Sequence, residues 1–318
     1  NVVTLEVGKW IPNLGAILKV LIFIAIIVGA IIHVQDHGMA NPLTLETLTP
    51  DWSNSIHYIP AIIYGMLGFE LVSAGSEEMR NPARDVPRSI LISGVIILVL
   101  YVCGTMAVLA ALPAADINLV EGLIDTLQLF FGGSPAGTVF VTVLGVGALY
   151  TFFSNGVTWA LGCNRAAAEA ALEGELPRIF AFENKSLGTP IGAAVLMGIV
   201  STVVLLLYGF LALSNEDLFW SLFTFSAVIF LLPYLGMLLT FLKLRRTDPL
   251  HHRPYRIPGG MPLARLCAWA CFTVLALSIV LFVYTPVDGV QWPVLIGVIV
   301  TLLFGEGVIR SAEKHRRH

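Results

Sequence analysis

The chain has 318 residues, 57% of them hydrophobic and only 12% charged, with a mean hydropathy of +0.84. That composition excludes a soluble globular protein, which needs far more polar surface to face water. A net charge of −3 also excludes the strongly basic face that nucleic acid demands.

Apolar runs long enough to cross hydrocarbon, about 20 residues each, recur throughout. They predict eight spans in a single all-α membrane bundle over 1–318, near 12–33, 56–76, 89–111, 137–162, 189–213, 218–243, 262–285 and 292–309. With Asn1 on the cytoplasmic side, the connections sort by charge. One side holds Arg80, Arg84, Arg88, Arg165, Arg178, Lys185, the stretch from Lys243 to Arg265, and Arg310 to Arg317. The other has no Lys or Arg and carries Asp36, Glu46, Asp51, Asp116, Glu121, Asp125, Glu216, Asp217 and Asp288. This asymmetry obeys the positive-inside rule, predicting a multi-pass protein of the cell membrane with a cytoplasmic C-terminus. The chain opens on Asn1 just before a span and shows no signal peptide, so it is expected to be the C-terminal part of a longer protein.

The first span contains Lys19, a cation embedded in apolar sequence. It either snorkels to the interface on its four-carbon stem or serves as an internal ammonium that replaces a bound cation or carries a proton. The second span carries Tyr64, Gly65, Met66, Leu67, Gly68 and Glu70. Two glycines three apart fit close helix packing; they also fit an interrupted helix whose freed backbone groups bind a polar solute. Glu70 must be paired or protonated there, because a bare carboxylate in hydrocarbon costs several kcal/mol, by order of magnitude. It is either a protonatable coupling site or an acid bonded to backbone.

A charged turn follows, from Glu77 and Glu78 through Arg80, Asn81, Pro82, Arg84 and Asp85 to Pro87 and Arg88. Its alternating signs suggest a cytoplasmic anchor that pairs internally, and Pro82 and Pro87 are expected to prevent one regular helix there. The loop from Leu112 to Pro135 predicts a short amphipathic helix at the outer surface. Ala166 to Glu173 is strong helix-forming sequence that ends at Gly174. Glu306 and Arg310 are spaced to pair along the last helix. The cysteines at 103, 163, 267 and 271 read as apolar helix residues; they form no metal-like cluster, and no cofactor is implied.

Gly68-Phe69-Glu70 followed by Glu77-Glu78-Met79-Arg80-Asn81-Pro82-Ala83-Arg84-Asp85-Val86-Pro87-Arg88 resembles the sixth-helix signature of amino-acid permeases of the amino acid–polyamine–organocation superfamily. Asn164-Arg165, Gly174-Glu175-Leu176-Pro177 and Gly188-Thr189-Pro190 agree with it, as does the approach to the first span, Gly8-Lys9-Trp10 to Lys19. The resemblance implies that the chain matches helices five to twelve of a twelve-helix transporter with a five-plus-five inverted repeat, the first four helices being absent. By the same resemblance Tyr64 is an aromatic gate, Gly65, Met66 and Leu67 form an unwound segment that meets the substrate, and Glu70 lies just past the break. Lys19 then matches the fifth-helix lysine of proton-coupled members. Leu112 to Leu119 and Ile257-Pro258-Gly259-Gly260 look closest to the glutamate/γ-aminobutyrate antiporter branch.

The expected function is secondary active transport of amino acids, proton-coupled or by exchange, with substrate, protons and the lipid bilayer as partners and no enzymatic role. A non-transporting sensor or scaffold on the same fold is the alternative. Asn81-Pro82-Ala83-Arg84 spells a water-channel tetrad, but it occurs once and is flanked by charge, which argues against a channel. Nothing in the sequence fixes an oligomeric state.

Overall fold

The computed structural model describes residues 5–42, 44–45, 49, 55–70, 79–117, 122–184, 189–248, 251, 253, 255–285 and 289–316. Its helices are α1 (Leu5–His37), α2 (Ile59–Gly65, after a 3₁₀ turn at Ile56–Tyr58), α3 (Pro82–Ala111), α4 (Gly122–Phe131) and α5 (Pro135–Leu172). Then follow α6 (Ile191–Leu211), α7 (Asn215–Thr247), α8 (Gly260–Val283), a small hairpin of β1 (Tyr284–Thr285) and β2 (Gly289–Val290), and α9 (Trp292–Arg316).

Among the described residues, seven helices are long and apolar enough to cross a membrane. They expose large apolar side chains such as Leu149, Phe152 and Leu303, as lipid-facing helices do. The predicted second span is the difference. In place of one continuous helix over 56–76, the described part is the seven-residue α2 followed by irregular backbone through Glu70.

The chain divides into two compact units. The first comprises 1–49, 98–204 and 306–318, and its core is built where α1 lies against α5 with α4 beside both. Ile22, Ile26 and Ala30 of α1, spaced four apart on one helix face, bury against Leu127, Val141 and Ala148. The predicted amphipathic helix is present as α4, and its apolar side is spent on protein: Thr126 and Leu127 are fully buried. Gly15 lets α1 and α5 lie close together, since a Cβ there would fall 2.2 Å from the Ser154 hydroxyl oxygen. At the end of α3, the Asn41 amide donates to the Leu109 and Leu112 carbonyls, both at 2.7 Å, satisfying helix-terminal groups that would otherwise be orphaned.

Helix α5 runs unbroken through 38 residues, absorbing the stretch after Ala166 that the hydropathy pattern left outside the span. At 1.5 Å per residue it is about 57 Å long. Ser134 caps its start by accepting from the Gly137 N–H at 3.1 Å. Its end is a Schellman closure: Gly174 adopts φ +81°, the Glu175 N–H donates to the Ala170 carbonyl at 2.8 Å, and the Gly174 N–H donates to that of Ala171 at 3.2 Å.

The second unit comprises 50–97 and 205–305. Ala227, Val228 and Leu231 of α7 pack on Leu275 and Phe282 of α8 and on Val294 and Val298 of α9, with Ile63, Tyr64 and Leu67 laid against this core. Ser214 caps α7 by accepting from the Asp217 N–H at 3.0 Å, and acids in the first turn and arginines in the last suit the helix dipole. Of the two prolines after the break, Pro82 acts as predicted, since regular helix begins only there, and Pro87 does not. Pro82 occupies the first position of α3, where no N–H is needed, and the Asn81 carbonyl accepts from the Arg84 and Asp85 N–H groups. Pro87 lies inside the helix, which continues past it for 24 more residues to Ala111 (111 − 87 = 24). Only the Ala83 carbonyl loses its partner to the ring, which one helix turn tolerates near its start.

Candidate functional site

The break is built from α2 outward. Pro60 at the helix start is buried, and the last turn tightens as the Met66 N–H reaches the carbonyls of Ile62 and Ile63, at 3.1 and 3.2 Å. The Leu67 N–H then bonds the Tyr64 carbonyl at 3.1 Å, after which helical bonding stops. Gly68 has φ +107°, where a side chain would be strained, so the glycine turns the chain at a cost no other residue could match. The break falls where the sequence placed it.

Glu70 is half-buried immediately beyond. Its Oε2 accepts from the Gly68 N–H at 2.9 Å, and its Oε1 accepts from the Tyr234 hydroxyl of α7. The carboxylate therefore ties the turn to a neighbouring helix through both of its oxygens. Tyr64 stands edge-on to Phe223 and Phe230, with ring centroids 5.1 and 5.7 Å away, and Phe230 in turn lies 5.0 Å from Tyr234. Pro233 precedes Tyr234 and cannot donate to the Ile229 carbonyl, so α7 carries its own weak point beside this cluster.

The described side of the break is thus rich in acceptors and aromatic faces: the carbonyl end of α2, a carboxylate, and rings. Such a surface suits a cationic amine better than an anion. Residues 71–78, which follow the break, lie outside the described residues.

Tyr64, Leu67, Gly68 and Glu70 are brought together, while Gly65 and Met66 form the end of α2. Arg80, Asn81, Pro82, Arg84 and Pro87 form the start of α3 and the turn before it; Glu78 falls outside the described residues, and with it any test of the predicted internal pairing. Lys19 belongs to the other unit. It sits on α1 one turn beyond Gly15, with an exposed side chain. Two turns earlier on α1, the Ser154 hydroxyl donates to the Ile11 carbonyl at 2.9 Å, and the Tyr150 hydroxyl approaches the same carbonyl at 3.4 Å. Sequence reading passed over Tyr234 and the phenylalanines; a Pro-Tyr pair in the middle of an apolar run was the signal available.

Over residues 1–304 the sequence matches the family model described as amino acid permease. The chain belongs to that family. Among relatives of this permease chain, a probable agmatine/putrescine antiporter of Lactococcus lactis is 32% identical over 308 residues, covering 95% of this chain and 65% of the relative. An uncharacterized transporter of Legionella pneumophila is 29% identical over 78% of this chain and 53% of its own length. The glutamate/gamma-aminobutyrate antiporter of L. lactis is 24% identical over 69% of this chain and 44% of its own. The chain thus spans about two thirds or less of the relatives it matches. Family and architecture together make it a multi-pass membrane protein of a transporter family.

Proposed function

We propose that the protein is a secondary active transporter that moves amino acids or related amines across the cell membrane, by exchange or coupled to protons. The observation that carries this reading is Glu70, held at the helix break by the Gly68 N–H and the Tyr234 hydroxyl beside the Tyr64 ring cluster. In this role Tyr64 to Gly68 line half of the substrate site, and the Glu70 carboxylate meets the substrate's ammonium group. Relatives named as antiporters of agmatine/putrescine and of glutamate/gamma-aminobutyrate support exchange as the mode and an amine as the shared chemical handle. Lys19 is assigned to coupling, as an ammonium that gains and loses a proton during the cycle. The confinement of Lys and Arg to the connections on one side of the spans supports an orientation with the C-terminus in the cytoplasm.

The test is reconstitution of the full-length protein in liposomes, loaded with candidate amino acids or diamines and assayed for uptake with and without a pH gradient. Saturable exchange that weakens in Glu70→Gln supports the site. Loss of pH dependence in Lys19→Ala supports the coupling role, and unchanged pH dependence removes it. If ligands bind but no flux occurs, the protein is a sensor or scaffold on a permease fold.

A further inference from the structure

The last turn of α7, with Asp248, His251 and Arg253 behind it, forms a half-open cavity of about 370 Å³ lined by these three residues and by Phe241, Leu244 and Arg245. That volume lies in the range of small-molecule pockets, roughly 300–1,000 Å³. The walls are of two kinds. Phe241 and Leu244 continue an apolar strip of α7 on which Met237 is already exposed. Opposite in character are the cations. The Arg245 guanidinium lies over the Phe241 ring, 5.1 Å from its centroid, and stacking of this kind leaves the in-plane N–H donors available. Among the described residues no carboxylate pairs with Arg245.

Arg253 is fixed differently. Its terminal nitrogens donate to the carbonyls of Asp248, His251 and Leu244, at 2.6, 3.2 and 3.3 Å, so it closes the end of α7 and lends the cavity its charge. Asp248 is turned toward His251, with 3.5 Å between carboxylate and ring nitrogen. From Lys243 to Arg265 the sequence holds six Lys or Arg and this one acid.

We propose that this cavity holds the phosphate of an anionic phospholipid, with Arg245 as its principal contact and the first acyl carbons lying along Phe241 and Leu244. A free phosphate would use the cations and leave the apolar wall bare; a lipid at the end of a span uses both. The site stands apart from the break and from substrate, so it survives failure of the transport reading. In the orientation proposed above it faces the cytoplasmic leaflet.

The test is native mass spectrometry of the detergent-purified protein titrated with short-chain phosphatidylglycerol, with phosphatidylcholine and inorganic phosphate in parallel. Phosphatidylglycerol should bind at least tenfold tighter than phosphatidylcholine, and millimolar phosphate should fail to displace it. Arg245→Gln should weaken phosphatidylglycerol by about tenfold and clearly more than Arg246→Gln, which removes the same charge from an exposed position outside the cavity. Gel filtration and melting curves confirm that both variants fold, and Phe241→Ser provides a second arm that should also weaken the lipid. Equal losses at Arg245 and Arg246 overturn the proposal, because they indicate diffuse attraction only. Equal binding of the two lipids, or displacement by phosphate, overturns it as well.

Discussion

Replacing Glu70 by glutamine and by alanine separates the two things this side chain can do. The glutamine keeps the geometry: its carbonyl oxygen can accept from the Gly68 N–H, and its amide can donate to the Tyr234 oxygen once that hydroxyl turns away. What it loses is charge. An ammonium roughly 4 Å from the carboxylate gains about 4 kcal/mol at an effective dielectric of 20, and about 2 to 3 kcal/mol remains after desolvation. Glu70→Gln should therefore lower kcat/KM for amine exchange by roughly thirtyfold to a hundredfold while leaving stability within about 1 kcal/mol. Alanine removes both hydrogen bonds and leaves the Gly68 N–H without its partner. Bonds to a charged acceptor contribute about 1.5 to 3 kcal/mol each when buried, so at this half-buried position the pair should contribute about 2 to 3 kcal/mol in all. Glu70→Ala should thus be destabilised by that amount as well as slow. Exchange in proteoliposomes and equilibrium unfolding in detergent read the two effects separately. If Glu70→Gln exchanges like the parent while Glu70→Ala does not, the carboxylate is a backbone tie and the amine-binding role is refuted.

Tyr234→Phe should keep the charge and lose one tie, giving about a tenfold fall in kcat/KM for amine exchange in the same proteoliposome assay. Gly68→Ala forces a side chain into φ +107° and should cost about 1 to 3 kcal/mol in the unfolding assay, with exchange reduced in parallel. Gly15→Ala should destabilise by about 2 to 3 kcal/mol through its clash with Ser154, and Ser154→Gly in the same chain should restore most of that; a double-mutant cycle without coupling would contradict the seam geometry. Glu306→Gln removes the 2.8 Å pair to Arg310 at an exposed surface and should change unfolding by less than about 0.5 kcal/mol.

The break was legible because glycines and an acid inside a membrane-length run violate the local pattern, and such violations mark function. Pro233-Tyr234 broke the same rule more quietly and was absorbed into a continuous span, since a proline one side of a helix can accommodate leaves hydropathy almost unchanged. The end of α5 was legible at Gly174, but its continuity with the span was not. Hydropathy falls after Cys163, but Ala166 to Leu172 keep a strong helical preference, and the backbone follows preference past the edge of the lipid. Pro87 breaks no helix because it stands within the first turns of α3, where a missing N–H costs little. The partners of Glu70 could not be read at all, because pairing residue 70 with residue 234 is a property of packing and leaves no trace in spacing.

The length of α5 has a mechanical consequence. Hydrocarbon is about 30 Å thick, so close to half of this 57 Å rod stands outside it, stiffened by a cap at each end. A tilt of about 5° about one end would swing the other by roughly 5 Å, by simple lever arithmetic on that length. The turn Arg178–Ala181, which packs against this helix, is therefore where small angular changes inside the bilayer become large displacements in water. A spin label there tests whether the proposed transport moves this helix, without touching its buried core.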